Sequence, residues 1–158
     1  MTGPAKSKTP HTIDPPFVGK FKFTVGKLDI GAFTEVSGLS VQIDVEELAE
    51  GGQNAYTHKL LGRMKWPNIV LKRGITNTDA LFTWLLEHSG EGLTARHNQL
   101  GDGETGAISV VHPDGKPYRT WSLMGVRPVK WTGPRLAASS RDLAIEELEV
   151  CHRGFRVA

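Results

Sequence analysis

From Leu39 the chain reads Leu-Ser-Val-Gln-Ile-Asp-Val-Glu, and this strict alternation constrains the fold more than any other feature. Leu39, Val41, Ile43 and Val45 fall on one side of an extended chain, and Ser40, Gln42, Asp44 and Glu46 on the other. A period of 2 cannot be carried by a helix, whose side chains repeat every 3.6 residues, so the segment commits to a β-strand. We read residues 33–48 as one strand that runs into a cluster of glutamates.

That cluster, Glu-Glu-Leu-Ala-Glu-Gly-Gly-Gln-Asn at 46–54, admits three readings. It can be a short helix with a glycine C-cap, a plain surface loop, or an excursion built to touch another molecule. A helix needs apolar residues three and four apart, and none follow Leu48. The alternation before it favours a strand feeding a polar excursion.

The same period marks much of the remaining chain. Phe17, Phe21, Phe23 and Val25 oppose Lys20, Lys22 and Thr24, and a hairpin turn is expected at 27–31. Beyond the glycines comes a returning segment, then a strand with Ile69 and Leu71 on one face, where Pro67 marks an edge position or a strand start. Gly-Ala-Ile-Ser-Val-Val-His leads to a turn at Pro113-Asp114-Gly115 and a long strand-like run to Trp131. The last segment has the Ala, Leu and Glu content of a helix. Leu148, Val150 and His152 nevertheless alternate with Glu147, Glu149 and Cys151, and we read a strand. One helix stands out at 76–90, with Thr76 as N-cap, Asp79 three residues on, Gly90 as C-cap, and a stripe of Leu81, Trp84, Leu85 and His88 to lie on a sheet.

Composition sets the class. A chain of 158 residues is one domain's worth and buries about 68–70% of its unfolded surface. Residues 1–16, rich in Pro, Thr, Ser and Lys, have almost nothing to bury and are expected to form a flexible N-terminal arm ahead of the domain at 17–158. Cys151 is the only cysteine, so no intrachain disulfide supports the fold. No apolar run is long enough to span a bilayer, and the N-terminal residues lack the apolar core of a signal peptide. Synthesis in the cytoplasm and no direct membrane anchor are the expectation. The net charge of +2 is far from the basic stripe of a nucleic-acid binder.

Catalytic patterns fail one by one. Gly-Asp-Gly-Glu-Thr-Gly at 101–106 matches a dinucleotide fingerprint by letter only. A strand follows it where a helix N-terminus is required, and Asp102 and Glu104 would repel phosphate. His11, His58, His88, His97, His112 and His152 never fall at metal-ligand spacing. Ser37 lacks the Gly-x-Ser-x-Gly elbow. Glu46/Glu47 and Glu146/Glu147 are neighbours on strands, which point to opposite faces, so they read as solvated or interfacial charges and not as acid–base couples. Trp66, Trp84, Trp121 and Trp131 sit among aliphatics and suit packing. Arg127, Lys130 and Arg135 beside Trp131 make the best local nucleic-acid candidate. The residues therefore describe a β-rich domain with one helix, with no catalytic residue, cofactor or metal site to name, and with strand edges that must be managed. Closing strands between subunits is one way to do so.

Several segments, in order, resemble the tail tube protein family, the inner-tube subunits of contractile phage tails and of phage-tail-like contractile injection systems. They are Phe33-x-Glu35-Val36-Ser37-Gly38-Leu39, Glu50-Gly51-Gly52-x-Asn54, Leu71-Lys72-Arg73-Gly74 and Lys130-Trp131-x-Gly133-Pro134, and the likeness spans about residues 17–155. Leu61 stands where the family often has a proline before glycine, which puts the local turn shape there in question. The resemblance implies a mainly β (α+β) domain, a β-sandwich or barrel-like body with one flanking helix, assembling into hexameric rings that stack around a lumen. It implies as partners further copies of the chain, a sheath protein, baseplate or tube-initiator proteins, and a cargo of DNA or protein effector, all within a phage tail or injection particle.

On that resemblance Glu46, Glu47, Glu50, Gly51, Gly52 and Asn54 belong to an assembly loop reaching the adjacent subunit and ring. Lys20, Lys22, Ser40, Gln42 and Asp44 are candidates for a lumen-facing or loop-covered polar face. The lack of an extra domain favours a main tube subunit over a tube-end or baseplate-adjacent paralogue. A nucleic-acid-binding domain and a small hydrolase with a histidine cluster are the readings from other classes.

Overall fold

The computed structural model describes residues 19–52, 55–88, 103–139 and 142–158. The expected arm at 1–16, Phe17, Asn54, Gly90, His11, His97 and the first two residues of the 101–106 motif lie outside them. Among the described residues, ten strands and one helix follow in the order β1 (Lys20–Val25), β2 (Leu28–Phe33), β3 (Glu35–Ser37), β4 (Gln42–Leu48), β5 (His58–Lys65), β6 (Ile69–Gly74), α1 (Ala80–Glu87), β7 (Glu104–Val111), β8 (Pro117–Thr132), β9 (Ile145–Cys151) and β10 (Phe155–Val157).

Eight of the strands make one sheet in the order β2-β1-β7-β8-β9-β6-β3, with β10 also paired to β8. All its pairings are antiparallel. The 16-residue β8 is the bend in this sheet, because its first part pairs β7 and β10 while Arg127–Thr132 pairs β9. At the other limit, β2 and β3 are separated by Thr34 alone, whose backbone N–H and hydroxyl both donate to the Lys72 carbonyl at 2.9 and 3.1 Å. The two ends of the sheet are therefore tied together by the chain itself. The result is a barrel-like sandwich whose terminal strands, β2 and β3, are consecutive in the chain.

Alternation explains the core. Phe23, Val25, Ile69, Leu71, Ile108, Leu123, Val126, Leu148 and Val150 each occupy inward positions and are almost completely buried. The helix adds Leu81 and Trp84, as its stripe predicts. Trp84 packs edge-on against Phe23 at 6.1 Å, and Phe23 packs on Phe33 at 6.2 Å. The C-terminal segment is indeed strand, interrupted at His152–Gly154.

Three local expectations need correction, and the alternative left open at Pro67 is resolved. The first hairpin turns at Gly26–Lys27, and of the turn expected at 27–31 only Lys27 takes part, since 28–31 belongs to β2, paired with β1. Thr76 does not cap the helix. The Ile75 N–H is still bonded to the Ala144 carbonyl at 3.1 Å, the chain bends at Asn77 and the helix begins only after Asp79, and the Thr76 hydroxyl meets that of Thr78. Pro67 precedes β6, a strand flanked by β9 and β3, so it marks a start and not an edge. Finally, 33–48 is not one strand but is broken at 38–41 between β3 and β4.

Gly38 causes that break. Its φ is +86°, and a Cβ there would stand 2.2 Å from the Asn68 carbonyl oxygen. Gly38 precedes β4 and Asn68 follows β5, so this close backbone approach is the neck where an excursion leaves and re-enters the body. Gly38→Ala is expected to cost about 3 kcal/mol or more, since a left-handed backbone alone costs about 1–2 kcal/mol and a backbone overlap adds to it. Urea unfolding of the variant checks this.

Candidate assembly interface

The excursion through this neck is a two-stranded antiparallel ribbon of β4 and β5, separate from the main sheet. Glu46, Glu47, Glu50, Gly51 and Gly52 all lie on it or at its tip. It answers the question raised by 46–54: Glu46 to Leu48 end strand β4, and Gly51–Gly52 form a turn with φ +91° at Gly52, with open space around both glycines. Gly52 supplies the left-handed backbone expected of the pair, whereas Gly51 does not. Near the tip, the His58 ring lies edge-on to Tyr56 at 5.4 Å and its Nε2 is 3.3 Å from Glu50 Oε1.

Register assigns the ribbon two different faces. Cross-strand partners share a face, so Ile43 with Met64, Val45 with Leu61, and Glu47 with Lys59 lie together. The other face carries Glu46 with Leu60, Leu48 with His58, and Gln42 with Lys65. Ile43, Val45, Leu61 and Met64 form an apolar stripe that meets no core, with Val45 51%, Met64 59% and Leu61 73% exposed. The apolar side of the Leu39–Val45 alternation is thus largely outside the core, with Val41, Ile43 and Val45 all exposed. Only Leu39 packs against the core. The period of 2 is real, but it faces solvent in the monomer. Leu61 and Gly62, where a turn was in question, lie within β5, beside the bulge that shifts the register between Ile43 and Val45.

The base of the ribbon is fixed. The Gly154 N–H donates to His152 Nδ1 at 3.1 Å, which leaves the proton on Nε2 to donate to the Pro67 carbonyl at 3.1 Å. Asn68 Nδ2 donates to Glu149 at 2.7 Å, and Trp66 packs on Phe155 at 5.1 Å. Three consecutive connector residues are thus held by β9, β10 and the turn between them. Their partners lie some 85 positions away, which is why local patterns in the sequence did not mark His152 as an anchor.

The expected polar face divides. Lys20 and Lys22 lie on the outer side of β1, with Lys22 2.9 Å from Asp29. Ser40 lies in the break, and Gln42 and Asp44 lie on β4, with Asp44 2.9 Å from Lys65. These five residues therefore do not share one sheet. The basic candidate also divides. Lys130 is opposite Glu149 and near Glu147, and Trp131 turns inward to meet Phe82 at 5.4 Å. Trp131 is half-buried, packed on Phe82 and donating to Glu146, so it is not an exposed base-stacking platform beside Arg127, Lys130 and Arg135. Among the described residues no three His, Cys, Asp or Glu side chains gather as for a metal ion, and no helix is long and apolar enough to cross a membrane.

One group was misread from sequence. Glu146 is not a solvated charge. It accepts from the Nε of Arg73, a side chain only 3% exposed, and from Trp131 Nε1 at 3.2 Å. Arg73 also donates to the Ile30 carbonyl at 2.9 Å and lies over the Phe33 ring. Parity was the available signal: Arg73 continues the Ile69, Leu71 face, and Glu146 continues the Leu148, Val150 face.

Comparison with known proteins agrees with this architecture. No curated protein matches the chain. A chain of the PVC sheath-tube complex of an extracellular contractile injection system, in its extended state, is 26% identical with a TM-score of 0.74, covering 93% of each chain. A chain of the PVC sheath/tube terminator is 26% identical with a TM-score of 0.72, over 91% of this chain and 96% of that one. The anti-feeding prophage cap, at 21% identity, shares the fold with a TM-score of 0.75 over 97% of both. The family model for the T4-like virus tail tube protein gp19 matches residues 19–156. With nearly the whole chain matched, and with the body and ribbon as described, the chain belongs to the T4-like virus tail tube protein gp19 family.

Proposed function

We propose that the chain is the structural inner-tube subunit of a contractile injection system or phage tail, and that it forms hexameric rings stacked around a lumen. A sheath protein surrounds the tube, baseplate or initiator proteins nucleate it, and DNA or a protein effector passes through it. The observation that carries this reading is a ribbon with an apolar, solvent-exposed stripe in a chain of the tail tube family. A stripe of this kind is an interface waiting for its partner. The likeness to chains of the PVC sheath-tube complex supports the sheath as a partner.

The subunit works through geometry and interface energy, with no bond chemistry. A heterologous contact repeated around a closed ring covers exposed edges, and stacking extends the ring into a tube. Glu46, Glu47, Glu50, Gly51 and Gly52 form the assembly loop, together with Asn54. Lys20, Lys22, Ser40, Gln42 and Asp44 contribute polar surface to the lumen or to loop-covered ground.

Charge reversal of Glu46, Glu47 and Glu50 to lysine is expected to abolish stacked tubes while the monomer keeps its circular dichroism spectrum. Light scattering and electron microscopy on one sample read both. Tube yield equal to that of the unmodified chain in the triple variant would remove the ribbon from assembly.

A further inference from the structure

Arg73 carries a donor that the described fold does not use. Its Nε donates to Glu146 and its Nη1 to the Ile30 carbonyl, and among the described residues nothing accepts from Nη2. The side chain is only 3% exposed, and it lines a cavity of about 240 Å³ between the end of β6, the start of α1 and the end of β8. Buried donors almost always have an acceptor. Both oxygens of Glu146 are already engaged, one by Arg73 Nε and the other by Trp131 Nε1 at 3.2 Å.

The mouth of the cavity repeats the pattern. Helix α1 starts there, its N-cap Asp79 makes no side-chain capping bond, and the first-turn N–H groups have no acceptor within the helix. Around these donors stand Phe82, Trp131 and Pro134, with Phe82 44% exposed. Free N–H groups between aromatic walls suit an extended segment that brings one carboxylate among apolar residues. Asp79 is on the rim, but it is exposed, where solvent ions screen its charge.

The chain carries such a segment within reach. Residues 13–18 read Ile-Asp-Pro-Pro-Phe-Val, and Asp14 is the only carboxylate before β1. The prolines favour an extended backbone at Asp14 and bring no N–H groups of their own. Phe21 pairs with Phe33 across one strand spacing, about 4.8 Å. The Arg73 guanidinium lies 5.1 Å from the Phe33 ring. Asp14 stands seven residues before Phe21, a tether of up to about 23 Å.

We infer that the cavity is the docking site of the chain's own N-terminal segment, with the Asp14 carboxylate accepting from Arg73 Nη2 and from the first turn of α1, and with Ile13 and Phe17 against Phe82 and Trp131. The contact lies within one chain and does not depend on the tube reading. Docked, the segment gives α1 the cap that Asp79 does not provide.

The test uses the full chain as a dilute monomer, below the concentration at which copies associate. Asp14→Ala is expected to raise the hydrogen-exchange rates of the Leu81 and Phe82 amides by on the order of tenfold, the loss of one charge-assisted bond, while the strands of the body exchange as before. Contact is read separately in a Cys151→Ser background. Thr12→Cys with Thr78→Cys, which keeps Asp14, closes an intrachain disulfide under mild oxidation. Thr2→Cys with Thr78→Cys closes it on the order of tenfold more slowly, and adding Asp14→Ala to the first pair slows it likewise. Unchanged amide exchange in Asp14→Ala, equal bonding from both arm positions, bonding indifferent to Asp14, no bond at all, or a bond only between chains each overturns the docking.

Discussion

Arg73→Met is expected to destabilise the monomer by about 3–5 kcal/mol, the usual result of removing one partner from a buried ion pair. The Arg73 side chain is 3% exposed and that of Glu146 is 12% exposed, so the carboxylate left behind has little water to turn to. Arg73 does more than neutralise it. By donating to the Ile30 carbonyl on β2 from its place on β6, it joins the two ends of the sheet beside the Thr34 crossing. Arg73→Met/Glu146→Leu should recover much of the loss, because a well-packed apolar pair of similar volume avoids the desolvation cost of both charges. Urea unfolding of the three proteins decides the matter. A single variant within about 1 kcal/mol of the parent would mean that the pair is only a passenger in the fold, since ordinary exposed pairs contribute that little.

The second large effect is expected at Trp84. Trp84→Ala removes a side chain that is 1% exposed and that stacks edge-on with Phe23 and His88. It also removes the indole N–H that donates to Glu104 at 3.0 Å. Truncations of this size cost about 3–5 kcal/mol. The helix has a second problem, because its N-cap residue Asp79 makes no capping hydrogen bond. With eight residues and no side-chain cap, α1 depends on tertiary packing for its existence. Loss of helical circular dichroism should therefore accompany the loss of stability. Trp84→Phe, which keeps an aromatic edge for Phe23 but not the donor, should fall between the two. A variant that keeps its helix and melts with the parent would show that the helix is held by something other than this contact.

What could be read from the residues was what short-range periodicity encodes. The helix stripe at Leu81 and Trp84, the strands around Phe23, Ile108 and Leu148, and the turn at Asp114-Gly115 each follow from a repeat over a few positions. The alternation through Ile43 and Val45 was equally legible as strand, yet its meaning was not. A period of 2 says that one side of a strand is apolar, and it is silent on whether that side meets the chain's own core or another molecule. The break at Gly38 was hidden for a related reason. Only the approach of Asn68, some 30 positions later, requires a glycine there.

The pairing of Arg73 with Glu146 and the anchoring of Pro67 by His152 depend on strand neighbours that topology brings together. Composition favoured a bland reading for Glu146, because charged residues are mostly exposed. The motif likeness to tail tube proteins reached further than local physics did, since it placed 46–54 on an excursion before its strands could be paired. It also carried Gly51 and Gly52 as a unit, although only Gly52 has the left-handed backbone.

The central claim is that this chain builds a tube and that its ribbon is the part that joins copies. Cryo-electron microscopy of the chain co-expressed with the sheath and baseplate proteins of its particle tests it most directly. Stacked six-fold rings are expected, with an open lumen and with the apolar stripe of Ile43, Val45, Leu61 and Met64 buried between copies. Monomers alone, or rings that leave the ribbon standing in solvent, would contradict it.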